Sequence, residues 1–316
     1  MTLAGAYCDE ATLYPESFWV MLLTRLSDGD GCLIATTNPD HPNHYLKTKY
    51  IDNKELDIAV WEFYLDDNIF LQPSYIENIK KEFKGVYFQR FILGLWVRAE
   101  GLVFETYAEN PDAFFISENE IPDDLEFITI GTDFGGNKSR TVFVATGFTK
   151  DWRNVIVLAD FRIPGEKGTI DANIVNKYYV SFLKDVQQRF GKRVVNGKTV
   201  YIPIKYSFAD SAEQYLITGM KSAAIAAKVT PPMDSMKKAI NDRIFFLNRL
   251  IASDRLKIVR GCKVVPESLA GLVWDSDEDK DVLLDIPGET PNDGFDALSY
   301  AIERFIPYFE FKGGNG

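Results

Sequence analysis

Cysteine and histidine are scarce in this 316-residue chain: Cys8, Cys32 and Cys262 lie far apart, and His41 and His44 are the only histidines. No CxxC pair occurs, so neither a disulfide framework nor a thiolate zinc site is expected, and the thiols read as reduced and mostly buried. The histidines fall in "NPDHPNHY", where Pro42 opposes a helix that would align them on a metal, so a loop is the expected setting. No run approaches the roughly 20 apolar residues of a membrane span, and the first residues lack a basic-then-apolar signal. A soluble, intracellular protein with no membrane partner is expected. A GxxxxGK[ST] loop is also missing from the 316 residues, so the chain is not expected to build a standard phosphate cradle by itself.

Apolar residues are plentiful. Hydrophobic residues make up 46% and aromatics 14% of the chain, enough for two ordinary cores or one complete domain and part of another. The net charge of −11 is unevenly spread: residues 1–125 hold 9 Lys and Arg against 22 Asp and Glu, and residues 126–316 hold 26 against 24. The second half is therefore the better candidate to meet phosphates, through local patches rather than bulk charge.

The first segment alternates α and β. "ESFWVMLLTRLS" predicts a helix, "GCLIATTNP" a buried strand ending in a polar loop, "LDIAVWEFYL" another strand, and "PSYIENIKKEF" a helix begun by Pro73 and Ser74. The acidic, proline-containing residues 107–125 read as an inter-domain connection. From 126 the pattern changes to three β-rich runs, "FITIGTDFGG", "TVFVATGF" and "NVIVLADFRI", which predict an antiparallel meander. A helix near 170–190, a fourth strand in "YIPIKYSFAD", a short helix in "SAEQYLITGM" and a fifth strand in "SAAIAAKV" follow. "SMKKAINDRIFFLNRLIAS" carries Ile240, Ile244, Leu247 and Ile251 at helical spacing, and "DALSYAIERFI" predicts the last helix. Three meandering strands, helix, strand, helix, strand and later helices is the order of the ribonuclease-H-like fold, which by itself does not give chemistry.

Carboxylates are the candidate chemical groups. Asp133 lies inside a β-run, where an uncompensated carboxylate would cost several kcal/mol; metal coordination is a natural compensation. Asp210, followed by Glu213, and Asp293, three residues before Asp296, are equally readable as helix-start acids. In this fold strands one and four are neighbours and the last helix packs beside them, so all these acids can converge, which capping does not require. Such a cluster suits Mg²⁺ or Mn²⁺, and two ions about 4 Å apart can activate water against a phosphodiester. Lys138 and Arg140 after the first strand, with Lys237, Lys238 and Arg243 on the polar side of a 235–252 helix, are the candidate DNA contacts. Near the start, Asp9 and Glu10 precede a strand that ends in Thr36, Thr37 and Asn38, a polar end suited to sensing a terminal phosphate.

"GAYCDEATL", "LLTRLS", "ATTNPDHPNHYLKTKYID", "LGLWVRAEGLVF", "IGTDFGGNKSRTVFVATGF", "FADSAEQYLI", "KKAINDRIFFLNRLI" and "DALSYAI" resemble, in order, the large terminase subunit of tailed bacteriophages and prophages, particularly the PBSX-like group. The resemblance implies a packaging ATPase followed by a ribonuclease-H-like nuclease that cuts concatemeric DNA. It implies Asp9 as the Walker B magnesium-binding acid, Glu10 as the catalytic glutamate, and Thr36, Thr37 and Asn38 as the motif coupling hydrolysis to movement. Asp133, Asp210 and Asp296 match the nuclease acids; Asp293 stands where relatives often place a histidine or another acid.

Family members carry a phosphate loop before the Walker B strand, and here Met1 stands in place of that half. The expected architecture is α/β: a truncated P-loop-type ATPase segment (1–106), a linker (107–125), a nuclease domain with a mixed five-stranded sheet (126–311) and a tail (312–316). Two Mg²⁺ or Mn²⁺ ions, and ATP only if the missing half is supplied, are the implied cofactors. Double-stranded DNA, the terminase small subunit and the portal protein are the implied partners, in the host bacterial cytoplasm. Rival readings are an inactive prophage remnant with a docking role and another ribonuclease-H-like nuclease, such as a resolvase.

Overall fold

A computed structural model of the chain describes residues 2–27, 31–135, 140–164, 171–278, 280–286 and 290–309. Lys138 and the tail at 312–316 lie outside them. The chain divides into two compact units: unit 1 comprises Met1–Gly101 and Trp274–Val282, and unit 2 comprises Leu102–Val273 and Leu283–Gly316. No helix among the described residues is long and apolar enough to cross a membrane.

In unit 1, β1 (Gly5–Cys8) pairs in parallel with β2 (Cys32–Ala35) across α1 (Glu16–Arg25). A small core joins Cys8, Ala11, Trp19 and Leu46, with Tyr45 and Tyr50 packed against it. Helices α2 (Pro73–Glu82) and α3 (Gly85–Phe91) follow, α2 opening with proline at its first turn, where no amide hydrogen is needed. Arg90 of α3 is buried and bonds Asp281, Asp40 and the Val97 carbonyl, which fastens the 274–282 segment into this unit.

Unit 2 begins with α4 (Glu105–Glu109) and β3 (Phe115–Ile116), then β4 (Leu125–Asp133), β5 (Val142–Thr149) and β6 (Val155–Arg162). Helix α5 (Ala172–Phe190), the hairpin β7 (Lys192–Val195) and β8 (Lys198–Tyr201), β9 (Ile204–Ala209), α6 (Gln214–Ala227) and β10 (Met233–Asp234) come next. The unit closes with α7 (Ile240–Ala252), β11 (Leu256–Val259), α8 (Val264–Gly271) and α9 (Asn292–Ile302).

Seven of the strands form one sheet in the order β10-β9-β4-β5-β6-β11-β3. β4, β5 and β6 are the expected antiparallel meander, while β9 runs parallel to β4 and β10 parallel to β9. Every residue of β5 is buried, as a central strand covered on both faces requires. On one face Ile128, Ile130, Phe143, Ile156 and Leu158 pack with Tyr179, Leu183 and Val186 of α5 and Ile217 and Met220 of α6.

The opposite face carries α9. Side chains alternate along a strand, so Thr129, Gly131 and Asp133 share that face. Thr129 donates its hydroxyl to the Ala301 carbonyl at 2.8 Å. At Gly131 a β-carbon would stand only 1.8 Å from the Ala297 carbonyl oxygen, so the helix backbone rests directly on the strand. Two strand residues and four helix residues each advance about 6–7 Å, and the pairings 129 with 301 and 131 with 297 thus lead Asp133 toward the start of α9.

Several expectations are corrected. Residues 107–125 are folded into unit 2: Tyr107 and Phe114 are buried, and β3 extends the sheet beside β11. "LDIAVWEFYL" forms no strand; Val60, Trp61 and Phe63 are exposed. β2 is formed but largely exposed. "SAAIAAKV" continues α6 because its alanines favour helix, and the short parallel strand is Met233–Asp234 instead. The 235–252 helix begins only at Ile240.

Candidate active site

Four acids meet at the carboxyl ends of two neighbouring strands, β4 and β9, of the unit 2 sheet. Asp133 is the last residue of β4. Asp210 directly follows β9, and its N–H donates to the Thr132 carbonyl at 3.1 Å, continuing the pairing that aligns Thr132 with Ala209. Asp293 and Asp296 are on the first turns of α9. Asp210 does not cap α6, which starts at Gln214 with Glu213 at its cap position; in α9 Pro291 stands at the cap position and Asp293 is the acid of the first turn, as a helix-start acid would be. Asp210 instead accepts the Ala212 N–H at 3.0 Å in a tight local turn.

Burial, followed by the charges of Asp296, Asp293 and Asp210, pushes the Asp133 carboxyl well above the usual carboxylate range, against the pull of Arg243. Asp296 is also raised by burial, with Arg243 opposing and Asp293 and Asp210 reinforcing. Burial raises Asp293 despite a hydrogen bond from the Arg140 backbone N–H. The neighbouring Tyr300 hydroxyl is raised by burial and by Asp296, Asp133 and Asp210. Burial is thus the main reason these groups favour their protonated forms, and for Asp133 and Asp296 repulsion among the acids adds to it.

Two cations are already engaged. Lys237 Nζ lies 2.5 Å from Asp210 Oδ1, and an Arg243 terminal nitrogen lies 2.8 Å from Asp296 Oδ1. Lys237 and Lys238 precede α7 rather than ride on it. Arg243 is turned inward between the Phe295 and Tyr300 rings, with a side chain only 10% exposed. Neither fits the expected polar helix face. Arg140 meets the cluster through its backbone.

All four candidate ligands offer carboxylate oxygens, which suits a hard divalent cation and not a thiolate- or imidazole-seeking one. Among the described residues, no group of three or more His, Cys, Asp or Glu is arranged to hold a metal ion as it stands. One oxygen of Asp210 and one of Asp296 are each taken up by a cation.

Glu303 has no place in the sequence reading of the site. It is 1% exposed and lies seven residues beyond Asp296, a spacing that returns to the same side of a helix; that periodicity is the available signal. A second acid outside the cluster, Asp160 of β6, is raised by burial yet accepts N–H groups from Lys263 and Val265 at the start of α8. It organises a helix end.

In unit 1, Asp9 and Glu10 follow β1, and Thr36, Thr37 and Asn38 follow β2. Thr36 donates its hydroxyl to Asp9 Oδ1 at 2.5 Å, and the Tyr7 hydroxyl lies 3.1 Å from that of Thr36. The Thr37 hydroxyl is 2.8 Å from that of Thr12. Glu10 adopts a left-handed backbone, φ 51°. These groups share the carboxyl end of two parallel strands, where α/β sheets bind ligands.

The mixed α/β fold is that of the phage large terminases. The large terminase of a thermophilic bacteriophage is similar at 23% identity and a TM-score of 0.76, over 97% of this chain and 70% of that one. The complex of that terminase with ADP matches with the same identity, coverage and score. The nuclease domain of the P22 large terminase aligns over 66% of this chain and 94% of its own, at 18% identity and a TM-score of 0.45. Residues 1–110 match the family model described as terminase large subunit, T4likevirus-type, N-terminal. A search of curated proteins gave no match.

Proposed function

We propose that the chain is a DNA-packaging terminase large subunit whose unit 2 is a ribonuclease-H-like, divalent-metal-dependent endonuclease for double-stranded DNA. The observation that carries this reading is the convergence of Asp133, Asp210, Asp293 and Asp296 from two adjacent strands and one crossing helix. The strand order β6-β5-β4-β9-β10, antiparallel through β6, β5 and β4 and parallel from β4 to β10, supports the fold assignment.

Asp133 and Asp210, with Asp296 and Asp293, would hold two Mg²⁺ or Mn²⁺ ions. Bound there, the ions would supply an activated water and stabilise the departing 3′ oxygen. The carboxylates orient that chemistry; burial, with mutual repulsion added to it, raises Asp133 and Asp296, and a bound cation would favour their ionised forms. Arg140, Lys237 and Lys238, together with Lys138, are the proposed DNA contacts; Arg243 supports Asp296. Asp9, Glu10, Thr36, Thr37 and Asn38 form the acidic, phosphate-sensing side of a proposed ATP site. The small subunit and portal protein are the proposed partners, in the host bacterial cytoplasm.

The ion pairs on Asp210 and Asp296 favour a second reading, an inactive remnant with a docking role. Incubation with supercoiled plasmid and Mn²⁺ or Mg²⁺ separates the two. Nicking that is lost with chelator and in Asp133→Ala, but kept in Asp160→Asn, is expected; no nicking, or nicking that survives Asp133→Ala, refutes the nuclease. Preference for a branched duplex would favour a resolvase.

A further inference from the structure

The oxygens of Glu303 accept three successive backbone amides: Met236 at 2.5 Å, Lys237 at 3.0 Å and Lys238 at 3.0 Å. Three consecutive N–H groups can converge on one carboxylate only if the backbone curls, and Lys237 supplies the curl with φ 48°. A lysine gains nothing from the left-handed region by itself; the charge-assisted bonds to Glu303 offset that strain. The consequence is directional: the loop held by Glu303 delivers the Lys237 ammonium onto Asp210.

We propose that Lys237 is a resident counter-cation of the acid cluster which a divalent metal ion displaces, and that Glu303 is the positioning residue that holds it there. This rests on the metal-site reading above. Of the two cations in the cluster, Lys237 is the one able to leave. Its side chain is 44% exposed and reaches the site from a loop, whereas Arg243 is wedged between two rings. The ammonium relieves the repulsion among the acids while metal is absent, and a divalent ion, with twice the charge and several oxygen ligands, competes for the same carboxylate. Metal affinity is therefore lowered by a group that the fold has built into the site.

Titration calorimetry of the full chain with Mn²⁺ tests this without measuring cleavage. A partly exposed ion pair is weak, so Lys237→Met is expected to bind Mn²⁺ roughly threefold to tenfold more tightly than the parent. Lys237→Arg restores parental affinity, and Glu303→Gln, which loosens the loop, shifts affinity in the same direction as Lys237→Met. Should Glu303→Gln fail to fold, the two lysine variants still decide. Affinity unchanged or weakened in Lys237→Met, with Mn²⁺ binding still abolished by Asp133→Asn, overturns the displacement while leaving the metal site intact. Absence of Mn²⁺ binding in parent and variant alike overturns the site reading, and the displacement with it.

Discussion

Gly131→Ala is the sharpest perturbation of the architecture that assembles the acids. Its backbone φ lies outside the left-handed region, so alanine would be accommodated conformationally and would gain about 0.4–1 kcal/mol from the stiffer unfolded chain. Opposing this, the new β-carbon would stand 1.8 Å from the Ala297 carbonyl oxygen, 2.8 Å from the Ala301 nitrogen and 2.9 Å from the Ala297 carbonyl carbon. All three are backbone atoms, so no rotamer change relieves the clash; the first approach must open to at least 3.0 Å, below which real β-carbons essentially never come. Overpacking of this kind costs about 3 kcal/mol, which outweighs the entropic gain. For a unit of this size a net loss of about 2–3 kcal/mol lowers Tm by roughly 4–12 °C. Because the strand and helix that separate carry Asp133 and Asp296, a displacement near 1 Å should also reduce the proposed Mn²⁺-dependent nicking about 10²-fold. Calorimetric melting and plasmid nicking measure the two effects. A unit 2 transition within about 1 °C of the parent, together with full nicking, would refute the claim that this contact sets the site.

Three further perturbations have expected outcomes. Asp133 and Asp296 are held above their ordinary value of 3.8, so above that pH the folded cluster keeps protons that the unfolded chain has released. Stability from this source therefore falls as pH rises through the window between 3.8 and the raised values; Asp133→Asn should melt higher than the parent at neutral pH without metal, and the stabilisation by Mn²⁺ expected of the parent under the proposed function should be absent from it. Asp160→Ala leaves the Lys263 and Val265 amides without their acceptor and should destabilise unit 2 by about 2 kcal/mol, with Mn²⁺ affinity unchanged by calorimetry. Arg90→Leu takes the buried guanidinium away from Asp281 and Asp40 and should cost unit 1 about 3–5 kcal/mol, read as faster proteolysis within 274–282, while adding Asp281→Leu recovers part of the loss.

The features legible in the sequence are those encoded locally. Alternating β-branched and aromatic residues give β4, β5 and β6, and the apolar period of α5 and of α7 from Ile240 onward gives those helices. Exposed or short elements are harder to read because their signals compete: "LDIAVWEFYL" has strand composition but no strand beside it, and the alanines of "SAAIAAKV" prolong a helix. The site shows the same division more sharply. Asp133 is identifiable as an acid inside a buried strand, yet Asp210 and Asp293 carry sequence patterns that a helix cap would share, and only the fold separates the readings. What brings them together is written in residues without chemistry of their own. Gly131 lets α9 lie on β4, and Thr129 fixes the register of that contact. Glu303 then curls a distant loop so that Lys237 reaches Asp210. None of these contacts is local in sequence: Glu303 and the Lys237 amide are 66 residues apart, and Thr129 and Ala301 are 172 apart. A periodicity that places Glu303 on the Asp296 side of the last helix is visible beforehand, but its meaning depends on which backbone arrives opposite it. The acids can thus be nominated from the sequence, whereas the counter-charges that restrain them, Lys237 and Arg243, acquire their roles only when the chain closes around them.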